Sequence, residues 1–362
     1  MFELITAVAH VNLKQLRRNF EILTGRSGGV AMVKANAYGH GLLETARALS
    51  KSKQLTSFGV ASLDEAVLLR AGGIKKPIWV FSRGTPMSKA AALLCKKQNL
   101  VPVLSTLEDL KIYLKYNRSG FFHLKINTGM NRLGLDESDW GPAKKLIADH
   151  GGRFQGLCTH FAQSGVSGSK LTRIQTANFK KAYEFFKNLK PYFMHASNTC
   201  AILDKNIAKE LSFCNVVRPG IGMYGYAGTA GERMGIKPAL VLKAKVIRTR
   251  TLKKGDRVGY DGTFHALNSQ KQAVLGIGYG DAVLRSLSNQ QIEVYDGKRR
   301  IKTRLLGRVS MDMISLSLKT KTGNWITLLG KNSKQGENLA TAAGTITYEL
   351  LTSISSRVPR IY

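Results

Sequence analysis

The chain has 362 residues, 43% of them hydrophobic, which is room for one large domain plus a smaller one, or two medium domains, with a sizeable core. No stretch of about 18 uncharged apolar residues occurs, so no membrane-spanning helix is expected, and Met1-Phe2-Glu3-Leu4-Ile5 lacks the basic start and apolar run of a secretory leader. The formal charge of +32 lies far beyond the roughly 2–8 of a small soluble domain and turns attention to nucleic acid, anionic membrane or an acidic substrate. The basic residues are nevertheless spread along the chain in short runs such as Lys298-Arg299-Arg300, without a basic tail or a nucleic-acid module, so neither specific nucleic-acid nor membrane binding is expected. Cys95, Cys158, Cys200 and Cys214 are scattered, with no metal-type pair. They read as buried thiols of a cytoplasmic protein without a metal site.

From residue 12 to about residue 220, short apolar strands alternate with amphipathic helices. A helix over Leu13–Leu23, capped by Asn12, comes first. Strands are predicted at Val30–Val33, Phe58–Ala61, Pro77–Phe81, Leu100–Leu104, Phe121–Ile126, Phe154–His160, Tyr192–Ala196 and Asn215–Arg218. Helices between them are predicted at Leu42–Lys51, Leu63–Ala71, Ser88–Lys97, Thr106–Tyr116, Ser138–His150, Lys170–Leu189 and Cys200–Glu210. Eight such βα units over roughly 220 residues fit a TIM-like (β/α)8 barrel, with a doubly wound sheet as the alternative.

The texture changes after about residue 235. Strand-like segments follow at Val241–Thr251, Gln272–Gly278, Gln291–Tyr295, Arg304–Leu306, Ile314–Leu318 and Asn324–Leu329, then a helical region at Gly336–Ile354. This reads as a mostly β domain of about 125 residues, with the boundary in the Gly-, Thr- and Ala-rich stretch Ala227–Met234. The domains are expected at 1–232 and 233–362.

Lys34 follows the apolar run Gly29–Val33 and precedes a tyrosine and two glycines, which puts it at the C-terminal end of the first barrel strand. A lysine there is either a solvated strand end or an amine in a pocket, where desolvation favours the neutral, nucleophilic form. Barrel enzymes hold reactive groups at these strand ends and commonly bind phosphate after strands seven and eight. Strand seven ends in His195-Ala196-Ser197-Asn198-Thr199 and strand eight in Arg218-Pro219-Gly220-Ile221-Gly222, which offer hydroxyls and glycine amides for an anion. An amine opposite a phosphate grip is what pyridoxal phosphate requires. Arg218 cannot give up its proton, so facing the pyridine nitrogen it would leave that nitrogen largely unprotonated and the ring a weaker electron sink. That suits simple proton exchange.

The motifs resemble those of the alanine racemase family over nearly the whole chain. Val33-Lys34-Ala35-Asn36-Ala37-Tyr38-Gly39-His40-Gly41 resembles the cofactor-lysine signature, Lys125–Gly134 the strand-five motif, Thr159-His160-Phe161-Ala162 the strand-six motif and Val217–Gly225 the strand-eight motif. In the β domain, Val258-Gly259-Tyr260-Asp261 resembles the catalytic tyrosine segment, joined by Gly276–Asp281, Gly307–Asp312 and Arg357-Val358-Pro359-Arg360. The resemblance implies that Lys34 carries pyridoxal 5'-phosphate and acts as base on one face of the alanine α-carbon, with Tyr260 on the other. It further implies that Tyr38, Asn198, Thr199, Gly220 and Ile221 hold the phosphate side of the cofactor and that His160 and Arg218 hold its ring side. Arg132 would bond the cofactor's phenolic oxygen and the substrate carboxylate, Met311 would offer its amide to that carboxylate, Asp312 would steady the region and Tyr279 would line the approach. Family sites combine the barrel of one subunit with the β domain of another, so a head-to-tail homodimer with shared sites is expected, supplying D-alanine for peptidoglycan.

Two positions depart from the family pattern. Ser356 stands where many members have a tyrosine that touches the phosphate and narrows the pocket, and Asn127 stands where an aspartate is common. Ser356 leaves open a broad racemase acting on Ser, Lys or Arg. A decarboxylase of basic amino acids shares fold and cofactor but would set an acid against the pyridine nitrogen, where Arg218 stands. In some relatives the lysine corresponding to Lys125 carries a carbamate.

Overall fold

The computed structural model describes residues 5–81, 84–150 and 153–362; residues 1–4, read above for a leader, lie outside them. The chain divides into two compact units. One comprises Phe20–Ala37 with Leu42–Met223; the other comprises the chain up to Asn19, Tyr38–Gly41 and Tyr224–Tyr362.

The first unit is the expected barrel. Its strands are Gly28–Met32, Leu55–Val60, Ile78–Val80, Val101–Leu104, Phe121–Lys125, Arg153–Cys158, Phe193–His195 and Val216–Val217, parallel and in sequence order, with the last paired to the first through Gly28↔Val216. Asn215 N–H donates to Met194 O at 3.1 Å and Arg218 N–H to Ser197 O at 2.8 Å, which joins strand eight to strand seven and closes the ring. Closure rules out the doubly wound alternative. Val30, Trp79, Val101 and Val216, from four different strands, pack together with Met32, Phe81 and Phe193 as apolar filling. Four of its helices start where a side chain caps them: Ser62, Ser88, Thr106 and Ser169 each accept a backbone N–H at the helix start. The helix expected over Cys200–Glu210 is two, Thr199–Leu203 and Lys205–Glu210, because the Asp204 carboxylate accepts from the N–H groups of Asn206 and Ile207 and starts the chain afresh.

The second unit is mostly β. Its axis is the 13-residue strand Leu240–Leu252, which pairs antiparallel with Trp325–Leu329 and Ala7–Val11 along its first half and with Gln270–Leu275 along its second. A bulge between Val246 and Arg248 lets one strand serve both. The strand Ala7–Val11 thus lies in this sheet, outside the barrel with which the limits 1–232 would group it. Ala227–Met234, read as a boundary loop, contains a short helix, Gly228–Arg233. The strand expected at Arg304–Leu306 runs instead over Arg299–Arg304, at the sheet edge, where cations keep a free edge from pairing with another chain. The late helical region divides into Ser333–Ala342 and Thr347–Thr352, with Gly344 at φ +69° between them. No helix among the described residues is long and apolar enough to cross a membrane.

Candidate active site

Lys34 follows the first barrel strand directly. Val33 N–H still bonds Gly59 O at 2.9 Å, and then Ala35, Asn36, Ala37 and Tyr38 all take left-handed conformations, with φ of 53°, 54°, 53° and 50°. For L-residues this costs roughly 1–2 kcal/mol each, so the turn must be held from outside. Glu65 holds it: one carboxylate oxygen accepts Ala35 N–H at 2.7 Å and the other accepts Ala61 N–H at 2.7 Å and Ser62 N–H at 3.2 Å. Asn36 Oδ1 accepts Leu42 N–H at 2.8 Å and closes the loop from the far side. The sequence signal for Glu65 was the capping box Ser62-Leu63-Asp64-Glu65. Its reach to the lysine turn is a tertiary fact no local pattern carries.

Positive charge gathers around this strand end. Burial first, then Arg132, holds Lys34 below the usual lysine range, with Glu65 partly opposing. Burial also lowers Lys125; Cys158 opposes, and Arg132, Arg218 and Lys34 lower it further. His160 is pushed down to about 3 by burial and then by Arg218, Lys125, Arg132 and Lys34, so it is neutral. Cations gathered at a partly buried strand end, with Glu65 as the carboxylate that opposes them at Lys34, suit an anionic ligand.

Arg218 is 5% exposed. Its two terminal nitrogens donate to His195 O at 2.5 Å, Thr159 O at 2.7 Å and Ala196 O at 2.9 Å, and one meets His195 Nδ1 at 2.7 Å; the His160 Nδ1 contact is long, at 3.5 Å. Among the described residues nothing takes its Nε–H. Nearby, Thr199 Oγ1 accepts Gly220 N–H at 3.2 Å and Gly222 N–H at 3.1 Å, which leaves the hydroxyl proton to donate. Among the described residues Ile221 N–H has no acceptor. Asn198 is the helix cap instead, its Oδ1 accepting from Ala201 N–H and Ser164 Oγ. Gln175, fully buried, fixes the loop after strand six by accepting Ala162 N–H at 2.9 Å and donating to His160 O at 3.1 Å. It lies mid-helix, and nothing in its local sequence signals that role.

Asn127 does not bond Lys125 or Arg132. Its amide donates to Asp136 at 2.8 Å and Asn131 Oδ1 at 3.0 Å while its oxygen accepts the N–H groups of Gly129 and Asn131. An aspartate could accept those amides but would face Asp136 as a like charge. Arg132 itself is exposed.

The β unit holds a second group of expected residues. Tyr260 is 71% exposed on a short turn, Tyr260–Gly262, that follows the strand Arg257–Val258. A Cβ at Gly307, where φ is +79°, would stand 2.3 Å from Val258 O, so the tyrosine turn and the Gly307–Asp312 loop meet backbone to backbone. Arg308 and Asp261 add an ion pair at 3.0 Å. Met311, 50% exposed, accepts Gly280 N–H at 2.9 Å through its carbonyl, beside the half-exposed Tyr279. Arg357 spans Asp312 at 2.6 Å and Asp281 at 3.1 Å, tying this loop to the turn that carries Ser356. Tyr38 also belongs to this unit; it is buried, stacked 4.6 Å from Tyr224, and burial raises its pKa.

The barrel residues fit pyridoxal phosphate in chemistry: a depressed amine, free N–H and hydroxyl donors for a phosphate, and a guanidinium N–H without an acceptor. Comparison with known proteins agrees. The alanine racemase N-terminal domain profile matches residues 11–228 and the C-terminal domain profile residues 239–362. An alanine racemase of Marinobacter nauticus is 34% identical over 98% of both chains, as is one of Carboxydothermus hydrogenoformans. Among solved structures, the alanine racemase of Streptomyces coelicolor superposes with a TM-score of 0.89 at 27% identity, covering 99% of this chain and 98% of that one. That of Bartonella henselae, with covalently bound pyridoxal phosphate, gives 0.88 at 27% identity over 99% of both. The chain belongs to the alanine racemase family of pyridoxal-phosphate-dependent isomerases.

Proposed function

We propose that the protein interconverts L-alanine and D-alanine by a two-base mechanism in which Lys34 and Tyr260 work from opposite faces of the α-carbon. The observation that carries this reading is the depressed amine of Lys34 among cations, beside an Arg218 whose Nε–H is unspent, in a chain of this family. Bound there, pyridoxal phosphate draws electrons from the substrate α-carbon and makes its proton acidic. Lys34 Nζ takes or gives that proton on one face; Tyr260 Oη does so on the other. Inversion follows because the proton leaves from one side and returns from the other.

The remaining residues bind and orient. Thr199 Oγ1, the Gly220 and Ile221 amides and Tyr38 hold phosphate, and Asn198 supports the Thr199 helix start. Arg218 would donate to the ring nitrogen and, being a permanent cation, would keep it from being protonated and so make the ring a weaker electron sink. Arg132 and the Met311 amide hold the substrate carboxylate, with Asp312 and Arg357 steadying Met311. His160, kept neutral with Nδ1 facing the Arg218 guanidinium, can donate its other ring N–H to the phenolate form of Tyr260 and so lower the cost of using a phenol as base. Tyr279 lines the approach. The barrel unit carries Lys34, Thr199, Arg218 and the glycine amides for the cofactor, and the β unit carries the second base together with Tyr38.

Exposure of Tyr260, Tyr279 and Met311 supports a head-to-tail homodimer in which each barrel is completed by the partner's β domain. Such an enzyme would act in the cytoplasm and supply D-alanine for peptidoglycan. Broader specificity is the second reading: Ser356 is exposed and offers less side chain than a tyrosine to close the pocket. Purified protein with pyridoxal phosphate is expected to form D-alanine from L-alanine. Comparable D-product from L-serine, L-lysine or L-arginine would favour the broad racemase, and no D-product from any of them would reject the function.

A further inference from the structure

Barrel interiors are ordinarily filled with apolar side chains, yet two fully buried histidines stand in this one. His195 Nδ1 lies 2.7 Å from Arg218 Nη1, His195 Nε2 lies 2.8 Å from His123 Nδ1, and His123 Nε2 lies 3.4 Å from Gln155 Oε1. Gln155 sits early on strand six and Arg218 just beyond strand eight, so the line runs from low in the barrel to its mouth. Buried polar groups are kept only where they are satisfied, and here they are satisfied end to end.

Donor and acceptor chemistry gives the line one direction. A guanidinium only donates, so His195 Nδ1 must accept and its proton must sit on Nε2. His195 Nε2–H then donates to His123 Nδ1, which places the His123 proton on Nε2 and directs it to Gln155 Oε1. The reverse tautomer of either ring would set proton against proton. The seat for His123 is made by shape as well. It is paired with Gly156 across strands five and six, and a Cβ there would come within 2.7 Å of the ring. Trp79 packs at 4.2 Å from the His123 ring and 4.9 Å from the His195 ring, Phe193 lies against His123 and Phe81 against His195, and Arg218 is the charged group that faces the line.

We propose that Gln155, His123 and His195 form a one-way hydrogen-bond relay that locks the His195 tautomer and thereby fixes the orientation of Arg218. These three are positioning residues: they touch neither substrate nor cofactor and act through the arginine. The consequence for catalysis rests on Arg218 facing the cofactor ring, as proposed above; the relay itself does not.

The test begins without cofactor. In protein labelled with 15N-histidine, His123 and His195 are expected to show protonated Nε2 and bare Nδ1 at every pH from about 5 to about 9. A protonated Nδ1 on either ring, or titration of either within that window, overturns the relay. The 15N signals of the Arg218 guanidinium are expected to report hindered rotation that His123→Phe releases. With cofactor bound, His123→Phe is expected to lower kcat on the order of tenfold with KM for alanine within about twofold, and to shift the cofactor's visible absorption. Gly156→Ala, which displaces the ring without removing it, is expected to do the same. Parental kcat and absorption in a folded His123→Phe protein would overturn the proposal, and the wild-type labelling experiment decides it if neither variant folds. Locked tautomers in a protein that makes no D-alanine would leave the relay standing and reject the function.

Discussion

Arg218 in the barrel is 5% exposed and spends both terminal nitrogens on three backbone carbonyls and an imidazole, whereas Tyr260 in the β unit is 71% exposed on a turn of three residues. The barrel fixes its chemistry by burial: low dielectric, a strained turn tied down by Glu65, and cations that depress one another. The β unit fixes its chemistry by backbone contact, through glycines that let the Val258 and Gly307 strands of chain touch, and leaves the working side chains facing outward. A group that must bind a cofactor permanently is best built into a core. The contrast teaches that the barrel unit buries its candidate groups, whereas the β unit carries its own on an exposed surface.

The strongest way to break that contrast is to remove one base from each half. Lys34→Ala is expected to abolish covalent cofactor attachment, read from the visible spectrum, and to cut D-alanine formation on the order of a thousandfold or more. Tyr260→Phe is expected to keep the cofactor spectrum and to slow racemisation by roughly 10²–10⁴. Equal loss of cofactor in both would mean that the division of labour is wrong. Gly307→Ala tests the backbone contact alone. Its Cβ would stand 2.3 Å from Val258 O in a left-handed conformation, so the tyrosine turn must shift; kcat is expected to fall about tenfold with the barrel's cofactor spectrum unchanged.

A solvent variable sharpens the same comparison. Burial and Arg218 hold His123 at about 3 despite its bond to Gln155, burial and its cationic neighbours hold His160 at about 3, and burial sets His195 well below its usual value. In the unfolded chain these groups titrate near 6.5, so between about pH 6.5 and about pH 3 the unfolded state binds more protons and stability is lost as the pH is lowered. Urea midpoints are therefore expected to drop from pH 7 to pH 5, and His123→Phe to flatten that drop; a pH-independent midpoint would contradict the buried neutral imidazoles. Ser356→Tyr carries the smallest expected effect, a shift of about twofold to tenfold in the alanine-to-serine rate ratio towards alanine.

The barrel was legible in the sequence because eight apolar strands alternate with amphipathic helices, and every one was found within a few residues of its place. The edge strand Arg299–Arg304 was misplaced because its defensive cations mask an alternating pattern, and Ala7–Val11 was passed over because its partner lies more than two hundred residues away. The residues expected to carry the chemistry of the barrel, Lys34 and Arg218, stand at readable positions, the ends of strands. Their supports are not legible there: Glu65 carries only the local signature of a helix cap, Gln175 lies mid-helix without a signal, and the left-handed turn of Ala35–Tyr38 runs against what alanine and tyrosine prefer on their own. Local pattern gave the positions; only the closed barrel brings the supports to them.

The most direct test of a site shared between subunits is to co-express Lys34→Ala and Tyr260→Phe chains with different tags and assay the purified mixed dimer. Each mixed dimer would carry one site with both bases intact and one with neither, so about half of wild-type activity per mixed dimer is expected. Activity no greater than that of the two parent variants would contradict the shared site.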